Sequence, residues 1–177
     1  MVIVTFVGPR LQRGGPIGWF GETNHPVQSK VLEFIDNYVS KLDKNKHYIL
    51  TSLQGGIEQW SIEAAVKYDI PFIVKLPHEN PDAKLPDFAK AKFNNLLDRA
   101  HLVETLAKGD WSLDKIRTKE QIFMRESDIV VSFFVKDIKD FEHIKSTAEI
   151  IRPLKQISNN TEHSQIDGKP DDFYIPF

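Results

Sequence analysis

Cysteine is absent from the 177 residues, which excludes disulfide staples, thiolate metal sites and a cysteine nucleophile, and leaves thiol usage silent on the redox compartment. Neither charge is in excess. Lys and Arg number 23 against 25 Asp and Glu, a formal net charge of -2, so there is no broad electrostatic footprint for a phosphate backbone. Extended nucleic acid is therefore an unexpected partner. The apolar run from Met1 to Val7 is too short for the hydrophobic region of a secretory signal and lacks a basic leader. A cytoplasmic location without membrane association is the expectation. Internal repeats, low-complexity tracts and obvious linkers are also missing. What is present, 41% hydrophobic and 27% charged residues over the length of one ordinary domain, suits a globular unit with a single core.

Val2 to Val7 is a β-branched run stopped by Gly8-Pro9, the pattern of a buried strand. Arg10 to His25, with Gly14, Gly15, Pro16, Gly18 and Gly21, reads as a long loop. From Pro26, apolar residues at Val27, Val31, Phe34, Ile35, Tyr38 and Leu42 recur at three and four, predicting an amphipathic helix. The alternation continues with strands at Tyr48–Thr51, Phe72–Leu76, Leu102–Leu106 and Ile129–Val135. Helices are expected at Ile57–Tyr68, at Leu85–Asp98 with Phe88, Lys92 and Leu96 at fours beside Phe93 and Leu97, and at Leu113–Arg125. Strands alternating with helices need crossover connections, so the expected fold is a three-layer α/β arrangement around a mostly parallel sheet. Residues 1–157 form the single expected domain. Residues 158–177 read as a tail, either docking a last short strand at Phe173-Tyr174-Ile175 or remaining mobile.

Seven of the nine glycines fall in the connections after the first two strands. In open α/β sheets, ligands settle at the carboxyl ends of strands, where bare backbone approaches phosphate and helix N-termini offer N–H groups. Ser52-Leu53-Gln54-Gly55-Gly56 lies at such an edge, so amides near Gly55, Gly56 and Ile57 could hold an anion. Tight turns are the competing explanation. Neither G-x-G-x-x-G nor G-x-x-x-x-G-K-[ST] occurs, which disfavours a dinucleotide dehydrogenase or a P-loop enzyme. Arg10, whose planar fork suits phosphate, is the leading single ligand contact. Trp60 either stacks on a nucleobase or packs in the core. Glu58 and Glu63 read by default as solvated, Glu58 complementing the helix dipole. Trp19 and Phe20 in the first long loop serve equally well as an aromatic lid or a subunit contact. The six histidines have no metal-ligand spacing and read as surface or internally satisfied groups, so neither metal nor cofactor is expected. No G-x-S-x-G nucleophile elbow exists.

Three segments together resemble the YpsA-like branch of the SLOG superfamily: Val4-Thr5-Phe6-Val7-Gly8-Pro9-Arg10, Leu50 to Ala65, and Gln121 to Asp128. The middle one is the most specific, being similar to S-G-x-x-G-x-[ED]-x-W-A-A-E with Leu53 in place of the first glycine. The resemblance covers most of residues 2–150 and implies a Rossmann-like fold of the kind found in DprA and LOG proteins, many of which are thought to bind nucleotides or nucleotide-derived signals. It also directs attention to Lys145-Ser146-Thr147-Ala148-Glu149, where the family tends to have glycine-threonine, a small residue and glutamate. The LOG-type proline-glycine-glycine-x-glycine-threonine signature is absent.

The leading expectation is a protein that senses or sequesters a nucleotide or nucleotide-derived ligand. Its expected contacts are Gly8, Pro9, Arg10, Ser52, Gln54, Gly55, Gly56, Glu58, Trp60, Ser146 and Thr147. One alternative is a nucleoside or nucleotide N-glycosidase or deoxyribosyltransferase, with Glu63, Asp128 and Glu149 as the candidate acids. Another is a scaffold with a vestigial cleft that recruits a protein or single-stranded DNA. A homo-oligomer, with Phe133, Phe134 or the aromatic tail at the contact, is a further expectation.

Overall fold

The structure, a computed structural model, describes residues 1–11, 17–18 and 26–133. Strands and helices alternate strictly: β1 (Val2–Val7), α1 (Pro26–Val39), β2 (His47–Thr51), α2 (Ile57–Lys67), β3 (Phe72–Leu76), α3 (Asp87–Leu97), β4 (Leu102–Thr105), α4 (Leu113–Glu126) and β5 (Ile129–Ser132). The five strands form one sheet in the order β4-β3-β2-β1-β5, and every pairing is parallel. This is the α/β, Rossmann-like architecture that the alternation and the family resemblance imply. Among the described residues no helix is long and apolar enough to cross a membrane.

Three crossovers step the same way across the sheet, from β1 to β4, so their right-handedness places α1, α2 and α3 on one face. The connection from β4 to β5 runs back past β1 and carries α4 to the other. Side chains agree. Asp36 of α1 meets Lys67 and Tyr68 of α2, and Glu63 of α2 pairs with Lys92 of α3. Alternation along β3 sends Phe72, Val74 and Leu76 into the core while Lys75 points to the opposite face. There Lys75 bridges Glu104 of β4 and Glu126 of α4, at 2.9 and 2.8 Å.

The main core lies between the sheet and α1–α3 and includes Val4, Phe6, Ile49, Val74 and Val131. Phe6 stands edge-on to Tyr38, and Phe34 edge-on to Phe133. Phe133 is therefore a buried core residue and not the dimer contact expected of it. Trp60 is likewise buried in this core, on the apolar side of α2. In α3 the stripe is Ala89, Phe93 and Leu96, whereas Phe88 is exposed. The expected spacing from Phe88 is off by one position. The tail, Phe134, Trp19 and Phe20 lie outside the described residues.

Gly8 ends β1 at the point where the strand order reverses, between β1 and β5. A Cβ there would sit 2.7 Å from Ile57 Cγ1 and 2.9 Å from Phe133 Cβ. Both contacts are close to backbone and cannot swing away. The Gly8→Ala variant should lose about 1–3 kcal/mol in urea denaturation through overpacking. Combining it with Ile57→Ala, which removes Cγ1, should cost less than the sum of the two single changes; strict additivity would mean that Gly8 is not held by this contact.

Candidate functional site

The two glycine-bearing loops meet, as the sequence predicts, but largely to pack on each other. Arg10 and Gly56 form an isolated antiparallel bridge, with the Leu11 N–H donating to the Gly55 carbonyl at 3.3 Å. Gly56 has φ +107°, and a Cβ on it would lie 2.9 Å from the Pro9 carbonyl oxygen. The missing side chains of Gly8 and Gly56 thus admit other parts of the protein, and the N-terminus of α2 is overlaid by the β1 loop. Neither glycine nor Pro9 lines the open space beside them.

That space is a cavity of about 830 Å³ displaced toward β2, β3 and β4. The loop after β1 supplies Arg10 and Leu11, and the loop after β2 supplies Ser52 to Gly55. Pro77, His78, Lys84 and Leu85 come from the loop after β3, Phe93 from α3, Asp110 and Trp111 from the loop after β4, and Ile116 and Lys119 from α4. Its position at the carboxyl edge follows from the polarity of parallel strands, whose connecting loops alternate between the two edges. The rim is tied together: Glu79 accepts a hydrogen bond from Gly109 N–H at 2.7 Å, and Asn80 donates to Asp110 at 3.3 Å.

Glu58 anchors the wall. It is 7% exposed, far from the solvated state expected of a first-turn glutamate. Its Oε2 accepts from Ser52 N–H and Ser52 Oγ, both at 2.7 Å, and from Thr51 Oγ1 at 3.3 Å. Its Oε1 accepts from Lys119 Nζ at 3.1 Å. Burial alone would raise the pKa of this carboxyl, but the Lys119 charge and the Ser52 donors outweigh it and hold the value below the usual carboxylate range. Glu58 is thus an ionised structural acceptor and a poor proton donor. Leu53, standing where the resembling motif has glycine, adopts φ +58° and places its side chain in the core. The left-handed backbone costs on the order of 1 kcal/mol, offset by that burial and by a hydrogen bond from its N–H to Thr51 Oγ1 at 2.9 Å.

Of the expected contacts, Arg10, Ser52, Gln54 and Gly55 line the cavity. Trp60 does not, because the apolar stripe of α2 turns it inward. The candidate acids separate. Glu63, two turns into α2, is engaged with Lys92 at 2.5 Å on the outer side of the helices. Asp128 precedes β5 and so lies at the amino edge, opposite the cavity, where its Oδ2 accepts from Ile3 N–H at 2.9 Å. Neither stands at the cavity. Ser146, Thr147 and Glu149 lie outside the described residues.

Sequence reasoning missed His78, Lys84, Asp110, Trp111 and Lys119. Lys119 did leave a signal: Ile116, Lys119 and Phe123 occupy one buried face of α4, so a lysine interrupts an apolar stripe. His78 follows β3 closely, at the edge where ligands gather. It is neither a surface nor a satisfied histidine. It is 5% exposed, and burial, assisted by the Lys115 charge and only partly opposed by Asp110, holds its pKa below the ordinary imidazole value. That shift favours the neutral ring.

Breaking the buried pair from one side strands a charge. Glu58→Gln or Lys119→Met should each destabilise the protein by on the order of 3–5 kcal/mol in denaturant unfolding, and the double variant should recover much of that loss. Because the folded-state pKa of Glu58 is depressed, its contribution is complete above the unfolded value of about 4.3 and fades as pH falls through the lower folded value. A pH series of unfolding free energies should show this acid-side decline in the parent chain and a shallower one in Glu58→Gln.

No family model matches the chain. It is 27% identical over 107 residues to the UPF0398 protein OB1025 of Oceanobacillus iheyensis, a match covering 58% of this chain and 54% of that protein. The similarity thus spans about half the length of the curated relative. Among solved structures, DNA processing protein A (DprA) of Streptococcus pneumoniae superposes with a TM-score of 0.55 at 15% identity, over 82% of this chain and 47% of that one. DprA of Helicobacter pylori, described for its single-stranded DNA binding mode, gives 0.53 at 15% identity over 83% and 60%. The chain is accordingly similar in sequence to a UPF0398 protein over about half of that protein's length, and it shares the Rossmann-like fold of the two DprA structures.

Proposed function

We propose that the cavity at the carboxyl edge of β2, β3 and β4 binds a nucleotide or nucleotide-derived ligand, so that the protein senses or sequesters it. One observation carries the reading: loops from four successive strands converge on a single space in which cations and apolar surface are combined. Arg10, Lys84 and Lys119 stand against Asp110, with Lys119 balanced by Glu58, while Phe93, Leu85, Ile116 and Trp111 supply the apolar wall. Such a division suits a ligand with an anionic end and a flat, weakly polar end. The volume falls within the roughly 300–1,000 Å³ range of small-molecule sites.

Catalysis by the N-glycosidase route finds less support. It needs a carboxyl able to carry a proton or stabilise developing positive charge at the ligand. Of the acids considered for it among the described residues, Glu58 is already committed to Lys119 and Ser52, Glu63 and Asp128 are elsewhere, and the one carboxyl that lines the cavity, Asp110, accepts from Asn80 at the rim. The single-stranded DNA alternative draws on the fold shared with DprA, and the net charge of -2 provides no electrostatic help for it.

The test is a melting-temperature and calorimetry panel of mononucleotides, NAD, ADP-ribose, cyclic dinucleotides and oligothymidylate, with recovery of the small molecules afterwards. A saturable rise in melting temperature without free base is the expected result for at least one nucleotide. Arg10→Ala should weaken that ligand by roughly 1–3 kcal/mol through loss of a charge-assisted contact. Free base in the recovered material would replace binding by catalysis, stabilisation by oligothymidylate alone would favour the DNA reading, and an unchanged affinity would remove Arg10 from the site.

A further inference from the structure

His78 carries an unanswered polar atom. The ring is 5% exposed and lines the cavity, yet its Nδ1 finds no hydrogen-bond partner among the described residues. Buried polar atoms in folded proteins are normally paired, and one that is not calls for an explanation, of which a bound group is one. Its surroundings narrow what that partner is. Pro77, Leu85, Phe93 and Ile116 give the same cavity apolar walls. Trp111 stands at the rim, 43% exposed. The charges acting on the ring, Lys115 and Asp110, are of opposite sign, and an imidazole nitrogen, donor or acceptor according to tautomer, complements a heteroatom at the edge of a flat, apolar-faced group.

The sheet order sets the spacing to the anionic end. His78 follows β3 and Arg10 follows β1, two strands away. Neighbouring strands lie about 4.8 Å apart, so the two loop origins are separated by roughly 10 Å, comparable to the reach from the base to the phosphate of a nucleoside monophosphate.

Resting on the nucleotide-binding reading above, we infer that His78 is the base-reading residue of the cavity: its Nδ1 hydrogen-bonds the edge of the heterocycle of a nucleoside phosphate whose phosphate lies toward Arg10. Base discrimination then belongs to the loop after β3, and anion affinity to the loops after β1 and β2.

Calorimetric titration of the full chain with AMP, GMP, CMP, UMP and ribose 5-phosphate tests the division. His78→Leu should weaken the tightest-binding monophosphate about tenfold or more and leave ribose 5-phosphate unchanged. His78→Asn, which retains a polar atom near the position of Nδ1, should recover most of the affinity. His78→Leu should also melt no lower than the parent, because it removes an unpaired buried polar group; this separates a ligand contact from a structural one. Undiminished affinity for the monophosphate in His78→Leu, equal losses for both kinds of probe, or failure of Asn to rescue would overturn the assignment. If none of the monophosphates binds the parent chain, the nucleotide reading itself falls, and the role of His78 with it.

Discussion

A carboxylate taken out of water has to be surrounded by donors, and the turn between β2 and α2 is built to supply them. Glu58 reaches back over the turn to the Ser52 N–H and hydroxyl, then outward to Lys119 on the far helix. The consequence is mechanical as well as electrostatic. β2 and α2 belong to one layer boundary and α4 to the other face of the sheet, and this cluster joins them beside the cavity. The Lys119 ammonium also lies 5.1 Å from the centre of the Phe123 ring, which gives the charge a second favourable surface in a dry place. Ser52 and Lys119 line the cavity while being fixed by Glu58, so that part of the wall is set before any ligand arrives.

The loops around this cluster show how glycine and its absence divide the work. Gly8 and Gly56 let β1, α2 and β5 approach closely, and their contacts are internal. At Leu53 the backbone takes the left-handed form that glycine usually supplies, and the side chain drops into the core. The route of the chain is thereby preserved at some conformational cost. The described cavity lies away from the β1/β5 reversal, where Ile57 and Phe133 stand against Gly8, and the loops after β3 and β4 supply much of its lining.

Much of this fold could be read from residue order. β1 and β3 have the bounds that their apolar runs predict, because each run is closed by breakers, Gly8-Pro9 after β1 and Pro71 and Pro77 on either side of β3. Helix α3 was harder, since Phe88 and Phe93 compete to define the stripe and only packing decides between them. The site was legible at Arg10 and Ser52–Gly55, where strand polarity alone gives the edge. Trp60 was ambiguous because an aromatic near a helix start serves core or ligand equally well. His78 and Trp111 come from loops whose convergence depends on strand order, which local pattern does not contain. Glu58 looked solvated because its partner lies 61 residues away.

The pairing of β1 with β5 carries a consequence for synthesis. β1 is the neighbour of the last described strand, and Ile3 and Asp128, 125 positions apart, close the seam between them. Until β5 emerges, β1 has an open hydrogen-bonding edge beside the hydrophobic surface of Val4 and Phe6. Such non-local closure is entropically slow, so a nascent or prematurely terminated chain passes through a stage with an adhesive flank. Completion of the fifth strand is what covers this flank of β1.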